Sequence, residues 1–243
     1  MVDGEPQHKQ SDLKVRAASA VVMVTGAGLA IWLGGWLWLA LVGAVAVGVL
    51  WEWRGLVARF APSALSRAAW MLGGFVYIGL AAGLLALLRV MPGPGQAAVL
   101  PIMLAVIGTD VGAYFAGRTF GGPKIAPKVS PSKTWSGLGG GILGATLVWL
   151  VALDAAHNGF DHAPALPERL AANVWPALMI GTLTAVIAQA GDFFESWMKR
   201  RAGVKDSGRL IPGHGGLFDR VDGLLAVLFV LALASLVPFF AVP

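Results

Sequence analysis

The chain has 243 residues, of which 57% are hydrophobic and 13% charged, and its mean hydropathy is +0.73; soluble domains carry about 25% charged residues, so this composition excludes an ordinary soluble domain. The formal net charge of +5 does not indicate nucleic-acid binding, because the charges are few and basic loops beside a membrane produce the same balance. The chain contains no cysteine, which excludes disulfides and thiolate metal sites.

Apolar runs long enough to cross a bilayer recur along the chain, and they predict an all-α, polytopic membrane helical bundle with about seven transmembrane helices. Residues 1–16 form a polar N-terminal tail, and residues 17–243 form a single transmembrane domain. The first apolar run, at about 17–51, exceeds one crossing, and Gly34 and Gly35 divide it into two helices. The other helices are expected at about 68–91, 97–118, 134–154, 174–200 and from 222 to the C-terminus.

Lysines and arginines are distributed unevenly over the predicted loops, and this sets the expected orientation. Basic clusters precede the first span and follow the second, fourth and sixth, whereas the loop after the fifth span carries Asp154, Asp161 and Glu168 against Arg169 alone. By the positive-inside rule, the N-terminus and the loops near 118–134 and 200–221 are cytoplasmic. We therefore expect a multi-pass protein of the inner, cytoplasmic membrane.

The segment GDFFESWMKRRAGVKDSGRLIPGHGGLFDRVDG, which ends at Gly223, concentrates charge between two apolar runs. Within it, Asp192, Ser196 and Lys199 follow i, i+4, i+7 spacing and therefore share one helix face. A carboxylate near the end of a membrane helix is costly and usually belongs to a site. This face is therefore expected to contact protein or water, not lipid.

Two further carboxylates, Asp219 and Asp222, begin the last span. Asp192, Asp219 and Asp222 are thus expected to converge at the cytoplasmic ends of two consecutive helices. Oxygen ligands without His or Cys suit Mg²⁺, which takes its remaining ligands from water and substrate phosphates. Cations and glycines in the same segment would bind those phosphates, and this combination is what phosphoryl transfer requires.

Simpler interpretations exist for individual parts of this segment. The run from Lys199 to Arg201 alone is typical of a positive-inside flank, and Asp219 with Arg220 is typical of a helix start with a surface ion pair. These interpretations do not explain why acids and bases alternate in a glycine-rich loop where bases alone would satisfy topology. Nor do they explain a second polar cluster on the same side.

The second cluster begins on the fourth predicted helix, where Asp110, Tyr114 and Arg118 lie near one face. A loop rich in Gly and Pro follows, and its hydroxyls and lysines at a helix start predict a phosphate cradle. Two alternatives stay open: Asp110 would only bond a neighbouring helix, and the run GLGGG would serve close helix packing. The cradle residues are Lys124, Lys128, Ser130, Ser132, Lys133 and Thr134.

The run SWMKRRAGVKDSGRLIPGHGGLFDRVDG resembles the signature of the phosphatidate cytidylyltransferases, also called CDP-diacylglycerol synthases. The stretch DVGAYFAGRTFGGPKIAPKVSPSKTWSG resembles the second loop of that family. Two positions depart from the family pattern: Ser136 stands where members often have Glu, and Gly122 with Pro123 interrupts the usual GK step. Ser136 is therefore assigned no catalytic role.

The resemblance implies transfer of the cytidylyl group of CTP to phosphatidic acid, with Mg²⁺ as cofactor, K⁺ as a further candidate cation, and a homodimer. The metal is assigned to Asp192, Asp219 and Asp222. The expected catalytic residues are Asp192, Ser196, Lys199, Asp219 and Asp222. The expected substrate-binding residues are Arg118, Ser130, Lys133, Thr134, Arg200, Lys205, Asp206, His214 and Arg220.

Two other functions are compatible with an apolar chain that carries charged loops. A membrane enzyme that activates a different lipid phosphate, such as a polyprenyl phosphate, would need the same metal and cations. A transporter for an anionic solute would place acids and broken helices near the middle of the bilayer. The clusters lie at helix ends and no inverted repeat is evident, which disfavours transport.

Overall fold

A computed structural model of the chain describes residues 6–158, 166–213 and 215–236, with side chains omitted at 6–16, 94, 158 and 166. The described part is helical throughout apart from one short hairpin and the connecting loops, so the all-α prediction is confirmed. The helices are α1 (Pro6–Leu33), α2 (Gly35–Phe60), α3 (Ala64–Val90), α4 (Pro94–Phe120), α5 (Trp135–Asn158), α6 (Leu166–Arg201) and α7 (Phe218–Leu236), and the strands are β1 (Lys124–Ala126) and β2 (Ser130–Thr134).

Five of these helices, α2 to α6, are long and apolar enough to cross a membrane. The apolar part of α1, Ala17–Leu33, is shorter, and α7 begins with three charged residues within its first five positions. The structure therefore establishes a polytopic helical bundle. The crossings by α1 and α7 and the cytoplasmic N-terminus stay predictions.

The break between α1 and α2 falls where the sequence predicts it. Gly34 has φ 63° and Gly35 has φ 54°, a region that residues with a Cβ rarely adopt. Arg89 of α3 donates from Nε to the carbonyl of Ile31 at 3.0 Å and from Nη2 to the same oxygen at 2.8 Å. This side chain satisfies a carbonyl that the end of α1 leaves without a helical partner.

Helices α4 and α5 approach each other through glycines. An added Cβ at Gly112 would collide with the backbone of Gly140, and one at Gly144 would collide with the backbone of Gly108. Close backbone approach of this kind is typical of small residues in membrane helix pairs. The packing interpretation of the GLGGG run is therefore confirmed.

Trp53 of α2 forms the centre of the core at the end of the bundle where α7 begins. Its ring centroid lies 5.9 Å from that of Phe194 and 5.8 Å from that of Phe218. Its Nε1 donates to the carbonyl of Trp70 at 2.9 Å, which satisfies the one polar atom of a large buried side chain. Aromatic packing thus joins α2, α3, α6 and α7 directly beneath the charged loops.

Two features differ from the predictions. The loop after α4 contains an antiparallel hairpin in which Lys124 pairs with Thr134 and Ala126 with Ser130; its strands have three and five residues, too few to show an alternating pattern. Helix α1 extends back over the predicted polar tail to Pro6. Residues 7–16 contain neither Gly nor Pro, so nothing in that segment ends a helix.

We expect Gly140→Ala to lower the melting temperature of the detergent-solubilised protein, because its Cβ would collide with Ala116 and the backbone of Gly112; overpacking of this kind costs about 1–3 kcal/mol. Gly139→Ala is the matched control, since a Cβ there meets nothing within 4 Å and alanine favours the helix. Equal melting temperatures for the two variants would contradict the packing of α4 on α5.

Candidate active site

The two polar clusters of the sequence meet at one end of the bundle. The Nζ of Lys133, on β2, lies 2.5 Å from Oδ2 of Asp192 on α6. The Nε of Arg200, at the end of α6, donates to the carbonyl of Val129 in the hairpin at 3.3 Å. The hairpin is therefore fixed to α6 at two points.

Three carboxylates come together where α6 and α7 face each other. One oxygen each of Asp192, Glu195 and Asp222 lies within 4.8 Å of the other two. Glu195 is completely buried, and its Oε1 has no hydrogen-bond partner among the described residues. Buried polar atoms are normally paired, so a carboxylate oxygen in this position fits a site for a cation.

Glu195 is a site residue that the sequence analysis missed. It follows Asp192 by three positions and precedes Lys199 by four, so it lies on the same helix face as both. That spacing was available from the sequence. The run that resembles the family signature begins one residue later, at Ser196, and does not include Glu195.

Two lysines offset the charge of the acids. Besides the contact of Lys133 with Asp192, the Nζ of Lys199 lies 2.6 Å from Oε2 of Glu195 and 2.7 Å from Oδ1 of Asp219. The side chain of Lys199 is 13% exposed, so these contacts are poorly screened by solvent. Lys199 therefore links the acids of α6 to the first turn of α7.

Both carboxylate oxygens of Asp219 contact other groups of the protein. Besides the contact with Lys199, its Oδ2 accepts the backbone N–H of Ser207 at 3.1 Å and that of Gly216 at 2.9 Å. The structure thus gives Asp219 a role in folding the loop between α6 and α7. Its predicted place among the metal ligands stays a prediction.

The remaining predicted groups near the acids are placed as follows. Ser196 donates from Oγ to Oδ1 of Asp192 at 3.2 Å. Thr134 is buried and its Oγ1 accepts the N–H of Gly137 at 3.0 Å, which caps the start of α5. Ser130 is buried within the hairpin. Thr134 and Ser130 therefore support the shape of the hairpin, and their substrate contacts stay predictions.

A cavity of about 410 Å³ opens between α4, the hairpin and α6. Asp110, Arg118, Lys133 and Asp192 contribute to its lining. Arg118 also donates from Nη1 to the hydroxyl of Tyr114 at 2.9 Å. This cavity brings two cationic side chains beside one of the clustered carboxylates, as a site for a metal-bound phosphate requires.

Other predicted residues line different spaces. Lys205 and Asp206 line a larger cavity of about 770 Å³ between α2 and the loop after α6, together with Arg59 and Arg209. Arg220 borders an apolar cavity of about 240 Å³. The larger cavity does not include the clustered carboxylates, so we place the chemistry at the smaller, acid-lined one. His214 lies outside the described residues.

Residues 60–237 match the model of the Cytidylyltransferase family. The chain belongs to this family. It is 39% identical to the phosphatidate cytidylyltransferase of Brucella suis biovar 1 over 208 residues, which cover 82% of this chain and 72% of that protein. It is 34% identical to the phosphatidate cytidylyltransferase of Rickettsia bellii over 218 residues, which cover 89% of this chain and 88% of that protein.

The match to the Cytidylyltransferase family includes both polar clusters, because the matched segment runs from the last residue of α2 past the end of α7. The family resemblance noted in the sequence is therefore confirmed, and it extends further towards the N-terminus than the two motifs. A phosphatidate cytidylyltransferase of Haemophilus influenzae is 39% identical over 150 residues, which cover 62% of this chain and 46% of that protein.

We expect Lys133→Met to increase backbone hydrogen exchange throughout the hairpin, because it removes one of the two contacts that fix the hairpin to α6. Lys128→Met is the matched control, since Lys128 lies in the same hairpin and is exposed. Exchange measured by mass spectrometry on peptides spanning 121–134 distinguishes the two. Unchanged exchange in the Lys133 variant would contradict the docking of the hairpin through Asp192.

Proposed function

We propose that this member of the Cytidylyltransferase family transfers the cytidylyl group of CTP to phosphatidic acid, giving CDP-diacylglycerol and pyrophosphate for phospholipid biosynthesis. The observation that carries the proposal is the family membership together with relatives named phosphatidate cytidylyltransferase. The geometry is compatible with it, because acids suited to a metal and cations suited to phosphates lie at one end of a membrane bundle.

The chemistry requires little from a general base. An oxygen of the lipid phosphate attacks the α-phosphorus of CTP, the bond from that phosphorus to the bridging oxygen of the β-phosphate breaks, and pyrophosphate leaves with the electron pair. The nucleophile is already an anion, so the main barrier is repulsion between two anions. Positioning and charge neutralisation are therefore what the protein must supply.

We assign the metal to the acid cluster. Asp192, Glu195 and Asp222 offer oxygen ligands only, and Oε1 of Glu195 has no partner among the described side chains and backbone groups. Such a donor set fits Mg²⁺, which when bound would neutralise charge on the phosphate oxygens. Glu195 thereby joins Asp192 and Asp222 in the proposed ligand set, and Asp219 is assigned to Lys199 and the loop.

We assign the phosphate groups to the cavity beside these acids. Arg118 and Lys133 line it, and Lys199 contacts Glu195 of the neighbouring acid cluster at 2.6 Å. Cations fixed by neighbouring carboxylates are already oriented when the substrates arrive, so little reorganisation accompanies the transfer. The contacts predicted for Arg200, Lys205, Asp206, His214 and Arg220, the requirement for K⁺ and the homodimer remain expectations from the resemblance.

The multi-pass fold also suits the two substrates. We propose that the protein lies in the inner membrane with the site facing the cytoplasm, since the basic loops are at that end by the positive-inside rule. CTP would reach the site from water while the acyl chains of phosphatidic acid stay in lipid. With this arrangement CTP need not enter the lipid, and the acyl chains of phosphatidic acid need not enter water.

Purified protein should form CDP-diacylglycerol from labelled CTP and phosphatidic acid when Mg²⁺ is present. We expect Asp192→Asn and Asp222→Asn to lower kcat about 100-fold or more, because each removes a charged ligand proposed to hold the Mg²⁺ that would offset the charge of the reacting phosphates. Glu168→Gln is the matched control, since Glu168 is an exposed acid at the opposite end of the helix that carries Asp192.

An assay with polyprenyl phosphate in place of phosphatidic acid tests the main alternative. Product from that lipid but not from several phosphatidic acids would move the assignment to a different lipid phosphate. Full activity in both Asn variants would leave the reaction intact but contradict the metal assignment.

The orientation can be tested directly because the chain has no cysteine. In intact bacterial cells, a membrane-impermeant maleimide should label an Ala156→Cys variant and leave a Lys128→Cys variant unlabelled until the membrane is permeabilised. Both positions are exposed. Lys128 lies in the hairpin that precedes α5, and Ala156 lies in the last turn of α5, at its other end. The reverse labelling pattern would contradict a cytoplasmic site.

A further inference from the structure

Glu52 is a buried carboxylate between two tryptophans in the C-terminal half of α2, and neither motif of the sequence includes it. Its side chain is 3% exposed, and it precedes residue 60, where the match to the family model begins. A buried carboxylate is costly unless hydrogen bonds satisfy it. The groups that satisfy Glu52 therefore indicate why it is there.

Three donors surround Glu52, and all belong to the loop after α6 or to the start of α7. Its Oε2 accepts the hydroxyl of Ser207 at 2.9 Å and the N–H of Phe218 at 2.8 Å. Its Oε1 accepts the N–H of Leu217 at 2.9 Å. One side chain of α2 thus holds both a residue in the loop and the first residue of α7.

The contacts with Leu217 and Phe218 make Glu52 an N-terminal cap supplied by another helix. The first N–H groups of a helix have no partner within it, and its positive end favours a negative charge. A side-chain oxygen of the residue just before the helix normally accepts one of these N–H groups. The residue before α7 is Leu217, whose side chain has no oxygen to accept a hydrogen bond. Glu52 of α2 provides the acceptor instead.

The loop is shaped to admit this carboxylate. A Cβ added at Gly208 would collide with the carboxyl group of Glu52. A Cβ added at Gly216 would collide with the hydroxyl of Ser207. Two glycines of the charged loop are therefore needed for the approach of Glu52 and Ser207, independently of any contact with phosphate.

The contacts continue from Glu52 to the acids of the site. Ser207, whose hydroxyl binds Glu52, donates its backbone N–H to Asp219, and Asp219 contacts Lys199. Phe218, whose N–H binds Glu52, begins the helix that carries Asp222. Both routes from Glu52 thus lead to a carboxylate whose position the site depends on.

We propose that Glu52 is a positioning residue of the active site: by capping α7 from α2 and holding Ser207, it fixes where Asp219 and Asp222 stand relative to α6. Glu52 contacts no reacting atom in this assignment. It acts through the two aspartates, much as groups behind the ligands of a metal site orient those ligands. The inference rests on the proposed function for its effect on activity, but not for its effect on the loop.

The first test measures backbone hydrogen exchange and needs no substrate. We expect Glu52→Gln to accelerate exchange in peptides spanning 203–213 and 215–221, because an amide nitrogen would then face the N–H of Phe218 or Leu217. Ser207→Ala should accelerate exchange in the same peptides by a smaller amount, because it removes one of the three hydrogen bonds to Glu52. It leaves the carboxylate in place and therefore serves as the test variant if Glu52→Gln does not fold. The control is Asp154→Asn, since Asp154 also joins two helices, through Arg169 at 3.0 Å, but at the opposite end of the bundle.

The second test measures the Mg²⁺ concentration that gives half-maximal activity. We expect Glu52→Gln to raise it about 10-fold or more, the scale on which such supporting groups act, with Glu52→Asp intermediate because it retains the charge. Asp154→Asn should leave the Mg²⁺ dependence of the folded enzyme unchanged. A Glu52 variant with a lower melting temperature but unaltered loop exchange and Mg²⁺ dependence would overturn the inference.

The two proposals fail in different ways. If the parent protein makes no CDP-diacylglycerol, the proposed function is wrong, and the exchange measurement still decides whether Glu52 holds the loop. If the parent is active and the exchange of residues 203–221 is the same in the parent and in the variants Glu52→Gln and Ser207→Ala, the inference about Glu52 is wrong and the function stands.

Discussion

The constraint on which this structure depends is that carboxylates near the ends of membrane helices need partners. Glu195 and Glu52 are both buried in helices long and apolar enough to cross a membrane, where an unpaired charge is costly. Lys199 pairs with Glu195, and the hydroxyl of Ser207 and two backbone N–H groups at the start of α7 bind Glu52. The glycine-rich loop and the first turn of α7 are folded around these two carboxylates, and the hairpin is held by a third, Asp192.

In this protein the contacts that pack the helices are different from the side chains proposed to act on the substrates. The glycine contact between α4 and α5 and the aromatic core around Trp53 set how the helices lie, and neither offers a group to a substrate. The charged loops then add side chains whose positions are fixed by ion pairs between elements, such as Lys133 with Asp192. Such preorganised charge suits a reaction whose barrier is electrostatic.

Much of this was predictable from the sequence, and the exceptions have physical causes. Hydropathy identifies the spans, and glycine identifies the break at Gly34. Helical spacing and the motif place Asp192 and Asp222 together, but which acids share one site depends on the rotation of α7 about its axis. That rotation is set by contacts such as Phe218 with Glu52, 166 positions apart in the chain, which no local pattern encodes. For the same reason the sequence analysis missed Glu52, whose partners lie in the loop after α6 and at the start of α7. Glu195 differs, because its spacing from Asp192 and Lys199 on α6 was available from the sequence.

The central claim is that Asp192 of α6 and Asp222 of α7 belong to one site. A double-mutant cycle tests it most directly, by measuring kcat/KM for CTP in Asp192→Asn, Asp222→Asn and the double variant. Residues that act as one unit are strongly non-additive, so the account predicts that the double variant is about as impaired as the worse single variant. Losses that multiply would show that the two acids act independently and would contradict the shared site.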